Sequence, residues 1–399
     1  MKQPGRITSP VPSVHSQWEP VRIDIPRQGQ GQGLIECTPC YFEMDSGQIQ
    51  DHNLRFIDWT HEVMFEAKQA FQHRKSPELD ELIYQKLMTK LRTIGLSAYN
   101  QLGKQVFDCL NDYGRQSPER GLDITICSEV FPLHWEFIYT GSSLDVVDPR
   151  LFWGYRHGIT RFLIGAKSMP VRLDPRGGFL FSRNSSLDHW SDEMNALRQI
   201  ASKRELRFDM LDSCLDRMAP EPGVLEIEKR SILIFARGGY SFLHIASHLL
   251  PSKVGVLEAY LELSYEGKLN PEKQGENIKI KLMQLNELRQ DLPFLTKSLV
   301  FLNACRTMIN PEHFGQGGSF PKSFLNLGAG AVIATVCDIP NNFAIAFANK
   351  FYDFFLGEQN VTASAALQLT RQFFMDRYNN PLGLAYGLYA HNNLMVCWD

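Results

Sequence analysis

Residues 241–248 read Ser-Phe-Leu-His-Ile-Ala-Ser-His, and residues 298–305 read Ser-Leu-Val-Phe-Leu-Asn-Ala-Cys. Each is a short apolar run that ends at a reactive side chain, His248 in the first and Cys305 in the second. Runs of this length and content are typical of strands buried in a parallel sheet. In an open α/β sheet, ligands bind beyond the carboxyl ends of such strands. The two side chains are therefore expected to meet in one crevice.

Strands and helices alternate on both sides of these two runs. Apolar runs suited to strands are followed by segments whose apolar residues recur every three or four positions, which is the spacing of a helix face. The predicted elements are helix 79–110, strands 122–127 and 158–164, strand 178–181, helix 188–206, strand 207–211, helix 224–236, strands 241–247 and 298–304, a helix from Ser319, strand 330–336 and helix 341–356. This alternation predicts an α/β protein with a mostly parallel sheet covered by helices on both faces.

Three segments fall outside this alternation. Residues 1–33 are rich in proline, glycine and glutamine, which predicts a flexible segment or an extended edge. An insert at 250–290 and the glycine-rich loop Gly315–Gly318 separate the predicted core elements. These last two segments are predicted to be the mobile parts beside the crevice.

A thiol and an imidazole at neighbouring strand ends are the minimum equipment for nucleophilic catalysis. The imidazole takes the thiol proton, and the thiolate attacks a carbonyl carbon. His244 shares a strand face with His248, but its position in mid-strand predicts a buried, hydrogen-bonded histidine. Cys305 alone is open to the interpretation of an inert buried cysteine.

Two patterns raise the alternative of a metal site. His244 and His248 have the spacing of a zinc peptidase helix, yet Ile245 stands where such helices carry glutamate. Cys37 and Cys40 form a single C-x2-C without the second pair that a tetrahedral zinc site needs. We therefore predict neither a metal nor a cofactor.

Composition excludes several classes of partner. The chain has 399 residues, of which 44% are hydrophobic and 21% charged, and its net charge is −3, so no basic field for nucleic acid or an anionic membrane is expected. No apolar run of about 20 residues predicts a membrane span. The first dozen residues lack an apolar signal region, and the eight cysteines do not resemble a disulfide framework. These features predict a cytoplasmic protein.

Five stretches together resemble the CHAT family, caspase-like cysteine peptidases related to caspases and separases. Residues 242–248 resemble its histidine motif and residues 299–305 its cysteine motif. Residues 131–136 (Phe-Pro-Leu-His-Trp-Glu) are similar to its hydrophobic-Pro-Trp-Glu element, and 327–336 and 351–357 to its closing strand and helix. The order and spacing of these stretches agree with the family from about residue 80 to the end.

The resemblance implies a caspase-like three-layer fold with a Cys/His dyad. Cys305 is then the nucleophile and His248 the general base and later acid, while the backbone amides of Leu249 and Cys305 form the oxyanion hole. It also implies a degenerate caspase-like half before the catalytic one. The implied organisation is an N-terminal extension over 1–75, a pseudo-caspase region over 76–172 and a catalytic region over 173–399.

The sequence departs from the family pattern at three positions near the predicted crevice. Leu249 stands where the family usually has glycine after the catalytic histidine. Cys337 replaces a common tryptophan, and Asn341 replaces an acidic residue that favours a basic P1 side chain in relatives. Asp338 is able to supply that charge instead, which predicts a preference for Lys or Arg at P1.

The function predicted from these observations is a cysteine endopeptidase that cuts a partner protein through an acyl-enzyme. Because an unregulated cytosolic peptidase would be toxic, activation by a regulatory protein or ligand is expected. The resemblance implies a setting in bacterial antiviral defence or cell death. Two alternatives stay open. One is a catalytically inactive caspase-fold adaptor, for which Leu249 would signal a damaged oxyanion hole, and the other is peptide transfer or ligation through the same intermediate.

Overall fold

Strands from both predicted halves of the chain join one large sheet. The structure is a computed structural model. It describes residues 20–24, 32–35, 40–43, 59–60, 62–70, 78–102, 121–128, 134–164, 169–217, 227–250, 259–266, 277–287, 296–304, 319–357 and 360–398.

The described residues contain fifteen strands, thirteen of which belong to the main sheet. The strands are β1 (Pro20–Asp24), β2 (Gln32–Ile35), β3 (Cys40–Glu43), β4 (Asp123–Ser128), β5 (Gly158–Leu163), β6 (Arg172–Leu173), β7 (Phe179–Arg183), β8 (Phe208–Met210), β9 (Phe242–Leu250), β10 (Tyr260–Ser264), β11 (Asn277–Lys281), β12 (Leu299–Ala304), β13 (Ala331–Thr335), β14 (Tyr386–Tyr389) and β15 (Met395–Val396).

The main sheet is mixed and mostly parallel. Its order is β11-β10-β9-β12-β13-β14-β5-β4-β1-β2-β3, with β7 alongside β9 and β8 beyond β7. Around the predicted crevice, β9 runs parallel to β7 and to β12, and β12 runs parallel to β13. Antiparallel pairs form the two ends of the sheet and join β13 to β14. The predicted sheet type is confirmed.

The helices form the outer layers of this α/β fold. They are α1 (Glu81–Leu102), α2 (Trp153–Arg156), α3 (Trp190–Lys203), α4 (Leu211–Arg217), α5 (Ile227–Arg237), α6 (Leu282–Glu287), α7 (Phe320–Leu327), α8 (Asn341–Phe355) and α9 (Ala363–Tyr378). Helices α3, α8 and α9 pack together, whereas α4 packs with α5 and α6 with α7. Tyr352 of α8 lies with its ring centroid 6.0 Å from that of Phe242, which places α8 over the sheet face of the even-numbered β9 side chains.

The strands that carry the predicted dyad form the centre of the core. Every residue of β12 and β13 is buried, and β9 is buried from Phe242 to Ser247. Because both faces of these strands are covered, the sequence there is apolar without alternation. The helices that periodicity predicted are present in the described residues, whereas α4 and α9 were not predicted. Ser319 caps α7, with its Oγ accepting from the backbone N–H of Lys322 at 3.4 Å, and Pro321 lies in the first turn.

The strand that carries His248 is longer than predicted. β9 does not end at Ser247 but continues to Leu250, so His248 lies inside a strand. The reason is a new partner: beyond the last pair with β12, the strand pairs with β10, with Leu261 opposite Leu249. The strand is therefore extended by hydrogen bonding to the edge of β10, a strand that was not predicted from the sequence.

Two predictions about irregular segments are wrong in part. The insert at 250–290 contains the antiparallel hairpin of β10 and β11, followed by α6, so its described parts are regular structure. The segment at 1–33 contributes β1, which lies between β4 and β2 inside the sheet rather than at its edge. The loop Gly315–Gly318 lies outside the described residues.

Candidate active site

His248 lies where β9 changes partners. Up to Ser247 the strand pairs with β12, with Ala304 opposite Ser247. From His248 onward it pairs with β10, with Glu262 opposite His248. Cys305 follows Ala304 in the sequence but lies outside the described residues. The structure thus describes the predicted base, His248, but not the predicted nucleophile, whose neighbour Ala304 is the last described residue of this stretch.

The backbone of Leu249 faces the side of β9 on which β12 lies. Successive residues of a strand turn their N–H and C=O groups to opposite edges. The N–H of Asn184 donates to the carbonyl of Ala246 (2.8 Å), so even-numbered residues of β9 face the β7 and β10 edge. On the other edge, the N–H of Leu299 donates to the carbonyl of Ser241 (2.9 Å). By this alternation the N–H of Leu249 faces the β12 edge, and Leu249 has no positive φ that would call for glycine.

The imidazole of His248 contacts a polar loop that the sequence analysis missed. Its Nε2 lies 3.2 Å from Oγ of Ser186, which in turn donates to Oδ1 of Asn184 at 2.7 Å. Both residues lie between β7 and α3, directly after a strand that the sequence did predict. The rule that ligands bind beyond the carboxyl ends of parallel strands could have pointed to them. Their Asn-Ser-Ser sequence is also typical of an ordinary turn, and it gave no reason to select them.

A buried polar network ties the strands of the predicted dyad together. His244 of β9 is fully buried, and its Nε2 lies 2.8 Å from Oε1 of Glu193 on α3. Asn303 of β12 donates from Nδ2 to the same oxygen at 2.6 Å and accepts from the hydroxyl of Tyr386 at 3.1 Å. The prediction that His244 is a hydrogen-bonded core histidine is confirmed. Sequence reasoning had assigned Glu193 only to the helix dipole, so its bridging position was missed.

Aromatic rings enclose this network. The His244 ring is stacked with Phe181 at 5.7 Å and with Phe301 at 5.2 Å between ring centroids. Burial, reinforced by the charge of Glu193, raises the pKa of Tyr352 well above its ordinary value, so this phenol stays neutral. Because water is excluded, the hydrogen bonds between α3, β9 and β12 act in a medium of low dielectric constant, where they are strong.

A cleft of about 890 Å³ opens at the carboxyl ends of β9 and β12. His248, Leu249 and Ala304 line it, as does Asp338, the predicted substrate-binding residue. Asn341 also lines the cleft, whereas Cys337 is buried. The charged groups along the cleft are mostly acidic, and they comprise Asp188, Asp192, Glu193 and Asp338, with Lys68, His189 and His248 as the basic side chains.

Asp338 already has a cation beside it. Nζ of Lys68, from the helical residues 62–70, lies 3.9 Å from Oδ2 of Asp338, and both side chains are about a quarter exposed at 26% and 27%. Nothing in the sequence links these two residues, since 270 positions separate them along the chain. The carboxylate therefore sits at the cleft surface in a position where an ammonium group is accommodated.

Neither a metal site nor a membrane-spanning helix is found among the residues that the structure describes. Within the described ranges no group of three or more His, Cys, Asp or Glu side chains is arranged to hold a metal ion, and Cys37 lies outside those ranges. None of the helices described here is both long enough and apolar enough to cross a membrane.

The fold is an α/β sheet whose parallel strands deliver a histidine to a cleft at their carboxyl ends, the arrangement expected of a caspase-like protein. The family model of the CHAT domain matches residues 178–381, and the chain belongs to the CHAT family. The predicted membership is confirmed for this range, which contains both His248 and Cys305, while the resemblance proposed upstream from about residue 80 is not covered by the match.

Comparisons with other proteins give distant likenesses. The complex of Porphyromonas gingivalis RgpB pro- and mature domains matches with a TM-score of 0.42 and 11% identity, over 86% of this chain and 76% of the other. The Saccharomyces cerevisiae separase–securin complex matches with a TM-score of 0.40 and 12% identity, over 85% of this chain and 22% of the other. No curated protein matches the sequence significantly.

Proposed function

We propose that this protein is a cysteine endopeptidase with Cys305 as nucleophile and His248 as general base. The observation that carries the proposal is the register of the two central strands. Ser247 and Ala304 are paired on parallel neighbours, and His248 and Cys305 are the next residue of each in the sequence. In such a sheet both residues belong to the end where ligands bind, which is where the cleft opens.

The proposed reaction is acyl transfer in two steps. His248 takes the thiol proton, and the thiolate adds to the scissile carbonyl. The C–N bond breaks, the amine leaves with the proton from His248, and a thioester remains on Cys305. Water activated by His248 then hydrolyses the thioester and restores the thiol. The chemistry requires no cofactor.

The backbone amides of Leu249 and Cys305 are proposed to stabilise the oxyanion. The amide of Leu249 is supported by the alternation along β9, which turns it toward the β12 edge. An extended residue needs no glycine, so Leu249 is compatible with this role even though relatives usually carry glycine there. This argues against the alternative of an adaptor with a damaged oxyanion hole.

The proposed substrate is a partner protein with Lys or Arg at P1. Four carboxylates line the cleft, and Asp338 lies at its surface close to an ammonium group, that of Lys68. We further propose that the protein acts in the cytoplasm and that a regulatory protein or ligand activates it, because an unregulated peptidase would damage its host. A setting in antiviral defence or cell death is part of the same proposal.

Thiol reactivity tests the dyad without knowledge of the substrate. Wild type, His248→Ala and Cys397→Ser are treated with iodoacetamide across pH 5–9, and the labelled peptides are quantified by mass spectrometry. Cys397 is half-buried and serves as an ordinary reference thiol. Cys305 should label fastest, with a midpoint below the ordinary thiol pKa of about 8.5. His248→Ala should remove this advantage and Cys397→Ser should not. Equal labelling of Cys305 and Cys397 would instead support the adaptor.

Peptide cleavage tests the reaction itself. Wild type and Cys305→Ala are incubated with a peptide library made from a bacterial proteome. The incubation is repeated with a cell extract that would supply an activating protein or ligand, and new termini are identified by mass spectrometry. Cleavage by wild type alone supports the dyad. Equal cleavage by both variants would show that the dyad assignment is wrong. New peptide bonds between library members would indicate ligation.

A further inference from the structure

The cleft wall holds a chain of hydrogen bonds that starts at a backbone N–H and ends at the proposed base. The N–H of Ser186 donates to Oδ1 of Asn184 at 2.9 Å. The hydroxyl of Ser186 lies 2.7 Å from the same oxygen, and it also lies 3.2 Å from Nε2 of His248. Because one end of this chain is a group whose hydrogen cannot move, the direction of every later bond can be deduced.

The orientation of the Asn184 amide is fixed first. A backbone N–H is an obligatory donor, so the atom that it contacts must be the amide oxygen. The amide nitrogen then faces Glu262, where Nδ2 donates to the backbone carbonyl at 3.0 Å and to Oε2 at 3.2 Å. Both partners are acceptors, which is consistent with the assignment. Asn184 is only 1% exposed, so its amide is held in this orientation.

The hydroxyl hydrogen of Ser186 is fixed next. Oδ1 of Asn184 has no hydrogen of its own, and two oxygens at 2.7 Å would repel each other without one between them. The single hydroxyl hydrogen of Ser186 is therefore given to Asn184. Toward His248 the hydroxyl offers only lone pairs, so Nε2 of His248 must carry the hydrogen of that bond. In the neutral imidazole, Nδ1 is then the unprotonated nitrogen.

We propose that Ser186 and Asn184 are positioning residues that hold His248 in its Nε2–H tautomer and so make Nδ1 the base for the Cys305 thiol. This inference rests on the proposed peptidase function. Nδ1 accepts the thiol proton, and the imidazolium keeps its Nε2–H bond to Ser186 unchanged. Nδ1 later passes the same proton to the leaving amine as the C–N bond breaks and the thioester is formed. No partner of Nε2 has to rearrange at either step, which is the advantage of a base held in one tautomer.

Nitrogen NMR tests the tautomer directly. In protein labelled with ¹⁵N at histidine, long-range ¹H–¹⁵N spectra separate protonated from unprotonated ring nitrogens, and a His248→Gln variant identifies the signals of His248. At a pH where the ring is neutral, Nε2 should be protonated and Nδ1 should not. In Ser186→Ala the two tautomers should exchange, whereas Ser185→Ala is the matched control because that hydroxyl bonds to Ser264 instead. An Nδ1–H tautomer in wild type would overturn the inference.

Kinetics test what the tautomer does. Ser186→Ala should lower both the rate of Cys305 alkylation and kcat/KM by more than about 10-fold, mainly through kcat, since mis-set tautomers are costly in nucleophile–histidine enzymes. Ser186→Thr, which keeps a hydroxyl, should restore most of the loss, and Ser185→Ala should match wild type. A Ser186→Ala enzyme as fast as wild type would overturn the inference while leaving the proposed function intact. If no variant cleaves or alkylates faster than an ordinary thiol, the proposed function fails, and the NMR result still decides the tautomer.

Discussion

At the scale of single residues, the sequence identified the groups whose chemistry is carried by residue type alone. Histidine and cysteine at the ends of apolar runs stand out in any sequence, so His248 and Cys305 could be chosen without a structure. Ser186 and Asn184 could not, because serine and asparagine after a strand are typical of turns. Their contact with His248 depends on β7 and β9 being neighbours, and that contact spans 62 positions of the chain.

Leu249 gives a residue-scale prediction about the oxyanion hole. Of the backbone hydrogen-bonding groups, Leu249→Pro removes the N–H that faces the β12 edge, so no hydrogen bond to β10 is expected to be lost. The preceding residue, His248, is already extended, as a residue before proline prefers to be. We expect kcat to fall about 100- to 1000-fold, the usual loss for one oxyanion donor.

The control for this substitution is Leu249→Ala, which keeps the N–H and should retain kcat within a few-fold. Both variants are assayed well below their melting temperatures, as determined by circular dichroism. If Leu249→Pro and Leu249→Ala lost activity to the same extent, the side chain rather than the amide would be responsible.

Asp338 gives a second prediction, about the choice of substrate. Across a panel of peptides with Lys, Arg, Ala or Asp at P1, Asp338→Ala should lower kcat/KM for the basic peptides and leave the others unchanged. Lys68→Ala should act in the opposite direction by about two- to fivefold, because removing a competing ammonium near a partly exposed carboxylate is a small effect. Asp174→Ala, which removes an exposed carboxylate that does not line the cleft, is the control. Equal use of all four peptides by wild type and Asp338→Ala would contradict the assignment.

At the scale of elements, periodicity predicted most of the buried strands and several helices, but it missed the buried strand β14, the helix α9 and the edges of the sheet. Core strands are recognisable because their environment is apolar on both faces. The hairpin of β10 and β11 was missed although it carries a signal, since buried Ile278 and Ile280 alternate with exposed Asn277 and Lys279. Such alternation is short and was hidden inside a polar insert. Because β10 was not predicted, the extension of β9 to Leu250, which pairs with β10, was not predicted either.

A short 3-10 helix after β4 gives the element-scale prediction. Glu136 in this turn makes two hydrogen bonds to Arg161 of β5, at 2.7 and 2.6 Å, and a longer one to Arg371 of α9 at 3.4 Å. All three side chains are buried. Burial opposes ionisation of Glu136, but the two arginines prevail and hold its pKa below the ordinary value. Glu136→Gln would leave buried guanidinium charge uncompensated.

We therefore expect Glu136→Gln to lower the free energy of unfolding by about 3–5 kcal/mol, as measured by urea denaturation. Asp174→Asn is the matched control, because Asp174 makes the same two-pronged contact with Arg176 on the exposed surface. That variant should lose less than about 1 kcal/mol. Equal losses of unfolding free energy in the two variants would show that burial does not make the Glu136 ion pairs contribute more to stability than an exposed ion pair.

At the scale of the whole molecule, the sequence predicted the class of fold and the family, and it could not predict how the two halves join. The proposed boundary near residue 172, between a pseudo-caspase region and a catalytic region, stays a prediction. Strands from both sides of this boundary belong to one sheet, so the sheet itself does not mark it. Strand order depends on which edges meet in space. Local periodicity contains no information about that, whereas it does contain information about which faces are buried.

Asp123 gives a prediction for the stability of the whole fold. Burial raises its pKa to about 7, although Oγ of Ser364 on α9 donates to Oδ1 at 3.2 Å and partly opposes the shift. Between about pH 4 and pH 7 the carboxyl is neutral in the folded protein and charged in the unfolded chain. Its contribution to stability is therefore complete below about pH 4 and lost as the pH rises to about 7.

Asp123→Asn removes this dependence, because the amide is neutral at every pH. Relative to wild type, the variant should become more stable as the pH rises from 4 to 8, by up to about 4 kcal/mol if each pKa unit counts about 1.36 kcal/mol. Thermal unfolding followed by circular dichroism at each pH measures the difference. Parallel curves for the two proteins would show that Asp123 does not titrate differently in the folded state.

The position of β14 has a consequence for the synthesis of the chain. This strand lies between β13 and β5, and all the other strands of the main sheet that the structure describes are translated before it. At roughly 5–20 residues per second, β5 has left the ribosome on the order of 10–40 s before β14 arrives. Until then the edges of β13 and β5 that pair with β14 lack their partner, and Asn303 lacks the hydrogen bond from the Tyr386 hydroxyl. The side of the cleft that Asn303 lines is thus among the last parts of the sheet to be completed.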